Sequence, residues 1–296
     1  MQVYSTPGHG HRLELLKSRI YTFVDSTKRF AFYFLEGQQL IQELALIHPL
    51  QGGGFAYFRD VVLSFMPMLA LLKHGEQLGL YLDAEDPYLR VKLEITAGGH
   101  VRCLLMPEDL KEFPERITGI VRVRKSFQNA KEPYNSIIEV NGVSLRNIIN
   151  QVLERSYQFN SLVRVSQNSD QSYLVLQLPG LPGDTEIDHT SEALLHCDEL
   201  YGPRLADLMN RGLQQPEELA VYFQELQFQP MGARTVQYHC NCSQERMLAN
   251  LQSLYINEGK ALFEPGQAHL EVTCEYCKSR FEIARTEIEA IPPLYN

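Results

Sequence analysis

Four cysteines near the C-terminus constrain this chain more than any other feature of its sequence. They form two close pairs, Cys240-Asn-Cys242 and Cys274-Glu-Tyr-Cys277, which thirty-one residues separate. In an extended strand, residues two apart point to the same face, so both sulfurs of the first pair can approach one ion. The second pair has the spacing of a metal-binding knuckle, and four thiolates are a common zinc ligand set. The pattern predicts one Zn²⁺ per chain, with all four cysteines as ligands.

The same residues leave two other interpretations open. A permanent structural zinc site in a constitutive protein-binding module needs the same four thiols. A thiol–disulfide oxidoreductase would use a cysteine at a helix N-terminus, where the helix dipole lowers the thiol pKa. Cys274 instead lies between strand-like segments and precedes Glu275, so the oxidoreductase is the weaker alternative. Ser/His/Asp arrangements, carboxylate pairs and phosphate loops do not stand out, so we assign no catalytic residue and expect no enzyme.

The segment that carries the cysteines is small and acidic. Residues 239–296 contain five Lys or Arg against eight Asp or Glu. A module of this length buries little apolar core. In such modules the free energy of zinc binding, of order 10–16 kcal/mol, is also folding free energy. Loss of the metal is therefore expected to unfold the module.

The N-terminal part of the chain mixes strands with helices. Strands are expected where apolar and polar residues alternate, and helices where apolar residues recur every three or four positions. Strands are predicted within 20–35, 78–82, 89–95, 101–105, 117–123, 136–140, 162–165 and 173–178, and helices over 38–47, 58–73 and 145–158. Because the strands and helices do not alternate as βαβ units, this predicts a mixed α+β N-terminal domain over residues 1–184.

A loop rich in proline and glycine, Pro179–Asp184, ends that domain. Beyond it, residues 185–238 carry leucines and aromatic residues at roughly helical intervals, interrupted by Gly202-Pro203, Gly212 and Pro216. Short amphipathic helices of this kind cannot fold alone and must dock on a surface. We predict a metastable helical linker over 185–238, followed by the C-terminal zinc module over 239–296.

Charge and hydropathy limit the partners of the chain. A net charge of −9 and a pI near 5.5 argue against nucleic-acid binding, because neutralising phosphates requires clustered Lys and Arg. Residues 1–20 lack the apolar core of a signal peptide. The most apolar run, Val61–Leu72, is too short to span a bilayer and contains Pro67. We therefore expect a cytoplasmic protein with no membrane partner, whose paired cysteines bind metal or sense redox state.

The cysteine pairs and the residues around them resemble the 33-kilodalton redox-regulated heat-shock chaperone family of bacteria. The resemblance rests on Tyr238–Arg246, Val272–Glu282, Lys131–Tyr134, Leu71–Lys73, Leu78–Leu82 and His100–Arg102. It covers most of the chain and is strongest in the cysteine module. The chain departs from the family at Ala84–Pro87, where the family usually has a glycine-rich turn, and at the N-terminus, which contains His9 and His11.

The resemblance implies a chaperone that oxidation activates during stress. The reduced, zinc-bound monomer is then expected to be inactive. Oxidation is expected to form the disulfides Cys240–Cys242 and Cys274–Cys277, to expel zinc and to unfold the linker. The active protein would be an ATP-independent holdase that binds unfolding client proteins, commonly as a homodimer.

In the light of this resemblance, the linker is predicted to mask apolar surface at rest and to bind clients after release. The candidate client-binding residues are Leu194, Leu195, Leu205, Leu208, Leu219, Tyr222 and Phe223. The two remaining thiols, Cys103 and Cys197, are expected to be inert. His239 precedes the first ligand, and we expect it to stay outside the ligand set because four sulfurs suffice.

Overall fold

The strands of this protein form three sheets, in a computed structural model that describes residues 16–27, 29–127, 132–179, 191–212 and 215–290. Helices lie against both larger sheets, so the predicted α+β class is confirmed. Several features of the sequence lie outside the described residues: the boundary loop beyond Pro179, His9, His11, and Lys131 of the family-like motif.

A five-stranded antiparallel sheet has apolar side chains on both of its faces. Its strands are β1 (Arg19–Asp25), β2 (Phe30–Glu36), β8 (Ser161–Val165), β9 (Gln171–Gln177) and β10 (Phe228–Thr235). Their spatial order is β10-β1-β2-β9-β8. The central strand β2 reads Phe-Ala-Phe-Tyr-Phe-Leu-Glu, and every residue of β9 is buried. A sheet that is apolar on both faces must be covered on both sides.

A six-stranded sheet is formed mostly by residues of the N-terminal part, and inward-facing and outward-facing residues alternate in it as predicted. Its strands are β3 (Gln77–Asp86), β4 (Tyr88–Thr96), β5 (His100–Met106), β6 (Ile117–Ser126), β7 (Tyr134–Val143) and β11 (Gln237–Tyr238). The spatial order is β11-β5-β4-β3-β6-β7, and the pair β11–β5 is parallel. In β4 the residues Leu89, Val91, Leu93 and Ile95 are buried, so the outward face carries the polar residues between them.

The main core lies between these two sheets and holds three helices. They are α1 (Gln38–Ile47), α2 (Gly52–Phe65) and α3 (Leu145–Tyr157). Their apolar faces pack with Leu35 and Leu174 of the five-stranded sheet and with Leu93 of the six-stranded sheet. The helices predicted over 38–47 and 145–158 are confirmed.

Helix α2 begins six residues before the predicted start at Phe58. The prediction followed the apolar run, whereas the helix begins in the glycines Gly52–Gly54. A Cβ at Gly54 would lie 1.8 Å from the carbonyl oxygen of Leu110, so only glycine lets the helix approach that backbone so closely. Around Pro67 the chain continues as a 3₁₀ helix, Met66–Leu71.

The continuous segment Gly52–Leu71 is long and apolar enough to cross a membrane by length and composition alone. However, 67% of its most apolar window is buried inside the protein. Side chains such as Phe58, Val62 and Met68 contribute to the main core instead. Its hydropathy is therefore accounted for by packing in the protein interior.

The predicted linker contains two helices, α4 (Ser191–Asn210) and α5 (Pro216–Glu225). The prediction that Gly202-Pro203 interrupts the first helix is wrong, because α4 is continuous through Pro203. A proline inside a helix removes one backbone hydrogen bond. Burial of Leu205, Leu208 and Met209 beyond it holds the last two turns against the sheet, so packing outweighs the local preference.

The end of the predicted helical linker is made of strands. Strand β10 pairs with β1, and β11 pairs with β5. Only Phe228 of β10 is buried, and the other seven residues are exposed. This strand is held by main-chain hydrogen bonds at a sheet edge, so its side chains carry no alternating pattern from which to predict it.

Candidate metal centre

The first cysteine pair follows directly from the edge of the six-stranded sheet. Strand β11 places Tyr238 opposite Val101 of β5, and the backbone N–H of His239 donates to the carbonyl of Val101 at 2.9 Å. The next residues, Cys240 and Cys242, therefore leave a fixed edge of the N-terminal sheet. Their position depends on a strand pairing across more than 130 residues of sequence.

The second pair lies in the turn between β12 (His269–Thr273) and β13 (Arg280–Ala284). Cys274 thus lies between two strands, as expected from the strand-like segments on either side of it. The N–H of Cys274 donates to the carbonyl of Ser279 at 2.9 Å, and the N–H of Lys278 donates to the carbonyl of Cys274 at 2.8 Å. Lys278 has a φ of 61°, in the left-handed region. These bonds form a tight knuckle that points both sulfurs to one side.

The four Sγ atoms lie within 4.8 Å of one another. Two Sγ–Sγ distances between the pairs are 3.7 Å, from Cys240 to Cys274, and 3.3 Å, from Cys242 to Cys277. A tetrahedral ion with Zn–S bonds of about 2.3 Å places its sulfurs about 3.8 Å apart. All four cysteines are free thiols. The group is therefore close enough to hold one metal ion, and its four soft sulfur donors fit zinc.

Burial and local hydrogen bonds shift the pKa values of the thiols in opposite directions. Burial raises the pKa of Cys240 and of Cys242 above the usual value for cysteine. Burial also raises the pKa of Cys277, but hydrogen bonds with the hydroxyl and backbone of Ser279 favour the thiolate and lower it to about 7. A divalent cation at the centre would stabilise the thiolate form of every ligand.

The module around the knuckle has little apolar core of its own. Its helices are α6 (Gln244–Glu258) and α7 (Arg285–Glu289), and Ser243 caps α6, accepting from the N–H of Arg246 at 3.3 Å. Helix α7 begins at Arg285, and its cap residue is Ala284 rather than the hydroxyl residue Thr286. Among the described residues of the module, the buried apolar core consists of Leu251, Phe263, Ile283 and Ile288, with seven partly buried apolar side chains packed against it. Four such side chains supply little of the free energy that a fold of this size needs.

A polar cluster attaches the knuckle to the six-stranded sheet. Glu94 of β4 accepts from Tyr81 Oη at 2.8 Å, from Tyr276 Oη at 3.3 Å and from Arg102 Nε at 2.7 Å. The Arg102 guanidinium lies 4.4 Å from the centroid of the Tyr276 ring. Burial, with the neighbouring Glu94 carboxylate, raises the pKa of Tyr81 to about 12. Both tyrosines thus stay protonated as donors.

An ion pair between Lys278 and Glu108 adds a second attachment. None of the residues in these two attachments was predicted to hold the module, although several of them, such as Arg102 and Tyr276, lie in the family-like stretches. The sequence contains one indication of the first attachment: the hairpin at Gly98-Gly99 places Glu94 opposite Arg102 in neighbouring strands. The contact of this pair with Tyr276 follows only from the docking of the module.

We expect Glu94→Gln to loosen the knuckle from the sheet without unfolding the N-terminal domain. Hydrogen bonds to a charged group contribute about 1.5–3 kcal/mol, so amide exchange at residues 274–279 should rise about tenfold or more. Hydrogen–deuterium exchange measures this directly. Glu85→Gln is the matched control, since Glu85 is an exposed carboxylate of β3. Equal exchange in the two variants would show that the cluster does not hold the knuckle.

The predicted linker helices lie on the outer face of the five-stranded sheet. They form a second core with Phe23, Phe32, Phe34, Tyr173 and Val175. Among the candidate client-binding residues, the buried ones are Leu194, Leu205, Leu208, Leu219 and Phe223; Tyr222 is partly buried, and Leu195 is 57% exposed. The structure thus places every candidate client-binding residue except Leu195 against this aromatic face of the five-stranded sheet.

The other candidate residues do not belong to the group of four converging sulfurs. Burial raises the pKa of Cys103, and burial with the nearby carboxylates of Asp25 and Asp198 raises that of Cys197 to about 12. Both thiols are buried in separate cores. The ring of His239 packs on His100, with centroids 4.6 Å apart.

Comparisons with known proteins agree with one another. A family model described as Hsp33 protein matches residues 18–284. A relative from Aquifex aeolicus (strain VF5), named 33 kDa chaperonin, is 24% identical over 279 residues, covering 87% of this chain and 84% of its own. Another 33 kDa chaperonin, from Geobacter sulfurreducens, is 27% identical over 244 residues, covering 76% and 78%.

A solved structure has a similar fold. It is the 33 kDa chaperonin (heat shock protein 33 homolog) of Thermotoga maritima, with a TM-score of 0.68. The superposition covers 93% of this chain and 97% of that one, at 17% sequence identity. Similarity at this identity supports the fold of the chain.

Proposed function

This chain belongs to the Hsp33 protein family, and from that membership we propose that it is a redox-regulated, ATP-independent holdase. Its family and its relatives named 33 kDa chaperonin make it a chaperone. The finer proposal is that the reduced chain binds one Zn²⁺ through Cys240, Cys242, Cys274 and Cys277 and is inactive. Oxidation of those thiols then releases the linker and activates the protein.

One observation carries the proposal: four free thiols converge within 4.8 Å in a module whose described residues include four buried apolar side chains. A bound Zn²⁺ would supply the missing folding free energy. The module is therefore expected to be stable only while its thiolates are intact. Its stability then depends directly on the redox state.

The chemistry of the switch balances with an oxidant such as hypochlorous acid. Forming the disulfides Cys240–Cys242 and Cys274–Cys277 removes four electrons from four thiolates. Two molecules of hypochlorous acid accept these electrons and leave as two chloride and two hydroxide ions. A disulfide sulfur is a poor metal ligand because the thiolate is the coordinating form. The module then loses the interaction that orders it.

The surface that would bind clients is the aromatic face beneath α4 and α5. The undocked linker uncovers Phe23, Phe32, Phe34 and Tyr173, which lie together on one face of the sheet, and it exposes its own leucines. Patches of this kind bind other apolar surfaces, including those of unfolding proteins. We propose such proteins as partners, a homodimer as the oxidised form, and the cytoplasm as the location. Nucleic acid and membranes are not proposed as partners.

The test measures zinc, thiols and holdase activity on the same samples. Reduced protein is treated with hypochlorite, or with peroxide plus heat, and zinc release, free thiols and suppression of client aggregation are followed. We expect release of one zinc per chain, loss of four thiols and a gain of holdase activity. Cys103→Ala should behave like the parent protein. Unchanged zinc content and unchanged activity would instead favour a constitutive binding module with a structural metal.

A further inference from the structure

A polar cavity of about 370 Å³ lies where the outward face of the six-stranded sheet meets the cysteine module. Small-molecule sites span about 300–1,000 Å³, so this cavity fits a compact ligand. Its charged lining consists of Arg102, Arg124, Arg246 and one carboxylate, Glu94, with His100 and His239 beside them. The cavity is therefore cationic, in a chain whose net charge is −9.

The floor of the cavity is a row of residues across four strands. Arg124 of β6 lies opposite Gly79 of β3, Gly79 opposite Glu94 of β4, and Glu94 opposite Arg102 of β5. Gly79 is the only member of this row without a side chain, and the ring of Tyr81 lies over it, 2.7 Å from where a Cβ would stand. Three strand spacings separate β6 from β5, which is about 14 Å. The cavity is thus elongated, with arginines at both ends.

Two of these arginines make no ion pair with any described carboxylate. Arg102 is paired with Glu94, whereas Arg124 and Arg246 are absent from the ion pairs formed among the described residues. On the same sheet face, Arg122 is paired with Asp83. The positive charge of the cavity is therefore available to a bound anion.

We propose that this cavity binds a short phosphate chain, of the diphosphate or triphosphate type, either free or as part of a nucleotide. Guanidinium groups bind phosphate oxygens through two parallel hydrogen bonds. A single oxyanion reaches one end of the cavity, while a chain of phosphates carries charge to both ends. The polar lining, with Thr96 and Ser126 as hydroxyl donors, suits such a ligand better than an apolar one.

The cavity exists only while the cysteine module is docked. One wall belongs to the sheet, and the other consists of His239, Asn241 and Arg246. Asn241 lies between the first two cysteines; its side chain accepts from Arg102 Nη1 at 2.6 Å and its carbonyl accepts from Arg246 Nη1 at 2.9 Å. A ligand held by both walls stabilises the docked state by mass action. Slower activation by oxidants is the consequence, and this consequence, unlike the binding, rests on the proposed function.

Isothermal titration calorimetry on the reduced, zinc-loaded full chain tests the binding. The ligands are tripolyphosphate, pyrophosphate, ATP and sulfate, at two salt concentrations. We expect tripolyphosphate to bind at least tenfold more tightly than sulfate, and we expect its affinity to fall as the salt concentration increases. If ATP binds more tightly than tripolyphosphate, the ligand is a nucleotide. If ATP binds equally or more weakly, the site recognises the phosphate chain alone. Binding of none of these anions at millimolar concentration overturns the proposal.

Two variants and one matched control test whether the anion binds in this cavity. Arg124→Gln and Arg246→Gln should each weaken tripolyphosphate binding at least tenfold. Arg122→Gln changes the same strand and sheet face but lies outside the cavity lining, so binding should be unchanged. Zinc content, measured on every sample, shows that the module stays folded and that the ligand does not extract the metal. An equal loss of binding in Arg122→Gln and Arg124→Gln overturns the assignment to this cavity.

A kinetic measurement separates this inference from the proposed function. Saturating tripolyphosphate should slow hypochlorite-driven zinc release several-fold in the parent protein and leave the rate unchanged in Arg124→Gln. If anions bind but oxidation releases zinc under no condition, the redox function fails and the binding site stands. If oxidation releases zinc but anions do not bind, the site fails and the redox function stands.

Discussion

We expect the Cys274→Ser protein to lose its zinc and to unfold throughout residues 239–290, while the N-terminal sheets stay folded. Cys274 is the most deeply buried of the four thiols, at 4% exposure, and its backbone closes the knuckle. A serine hydroxyl is a poor zinc ligand, and a site with three sulfurs forfeits much of the metal-binding free energy, which is of order 10–16 kcal/mol. The four buried apolar side chains of the module cannot replace it.

Three measurements on purified protein check this expectation. Metal analysis gives the zinc content, limited proteolysis locates the unfolded segment, and circular dichroism reports the remaining sheets. The control is Cys103→Ala, which removes a buried thiol from the main core and should keep its zinc. A Cys274→Ser protein with full zinc and a protected C-terminal segment would contradict a four-thiolate site that holds the module together.

The second large effect is expected from Phe223→Ala in α5. The Phe223 ring stacks on Phe23 at a centroid distance of 3.8 Å, and its edge contacts with Phe32, Phe34 and Phe228 fix it at the centre of the second core. Replacing a buried phenylalanine with alanine costs about 3–5 kcal/mol. We therefore expect the linker helices to undock at least a hundredfold more often, so that the reduced protein suppresses client aggregation without oxidation.

Val221→Ala is the matched control, because Val221 lies on the same helix with 55% exposure. It should remain inactive when reduced, and both variants should retain their zinc. Hydrogen–deuterium exchange should rise in α4 and α5 of Phe223→Ala and stay low in β9. A Phe223→Ala protein whose helices exchange rapidly but which binds no client would show that the aromatic face is not the client surface.

Strand β4 and helices α1 and α3 of the N-terminal part were predictable because each has one side facing the core. Alternation located β4 around Leu93, and a helical repeat located α1 and α3. The prediction failed where packing between distant segments set the structure. Helix α2 begins at glycines that carry no apolar signal, and α4 continues through Pro203 because the leucines beyond it are buried.

In the metal centre, too, some features were predictable from the sequence and others were set by contacts between distant segments. The cysteine spacing identified the residues that converge, because the ligand pattern is local within each pair. The pairing of Tyr238 with Val101, which positions the first pair, joins segments far apart in the sequence. The attachment of Tyr276 to Glu94 and the two-walled arginine cavity likewise need both segments in place.

The sequence by itself therefore determined the α+β class, the four converging thiols and the amphipathic character of the linker. These depend on periodicity and on ligand spacing, which are properties of contiguous residues. Only the tertiary structure decided which surface the linker covers, how the cysteine module docks and where unpaired arginines meet. Those depend on contacts between distant segments, whose free energy comes from complementary surfaces that no single stretch of sequence contains.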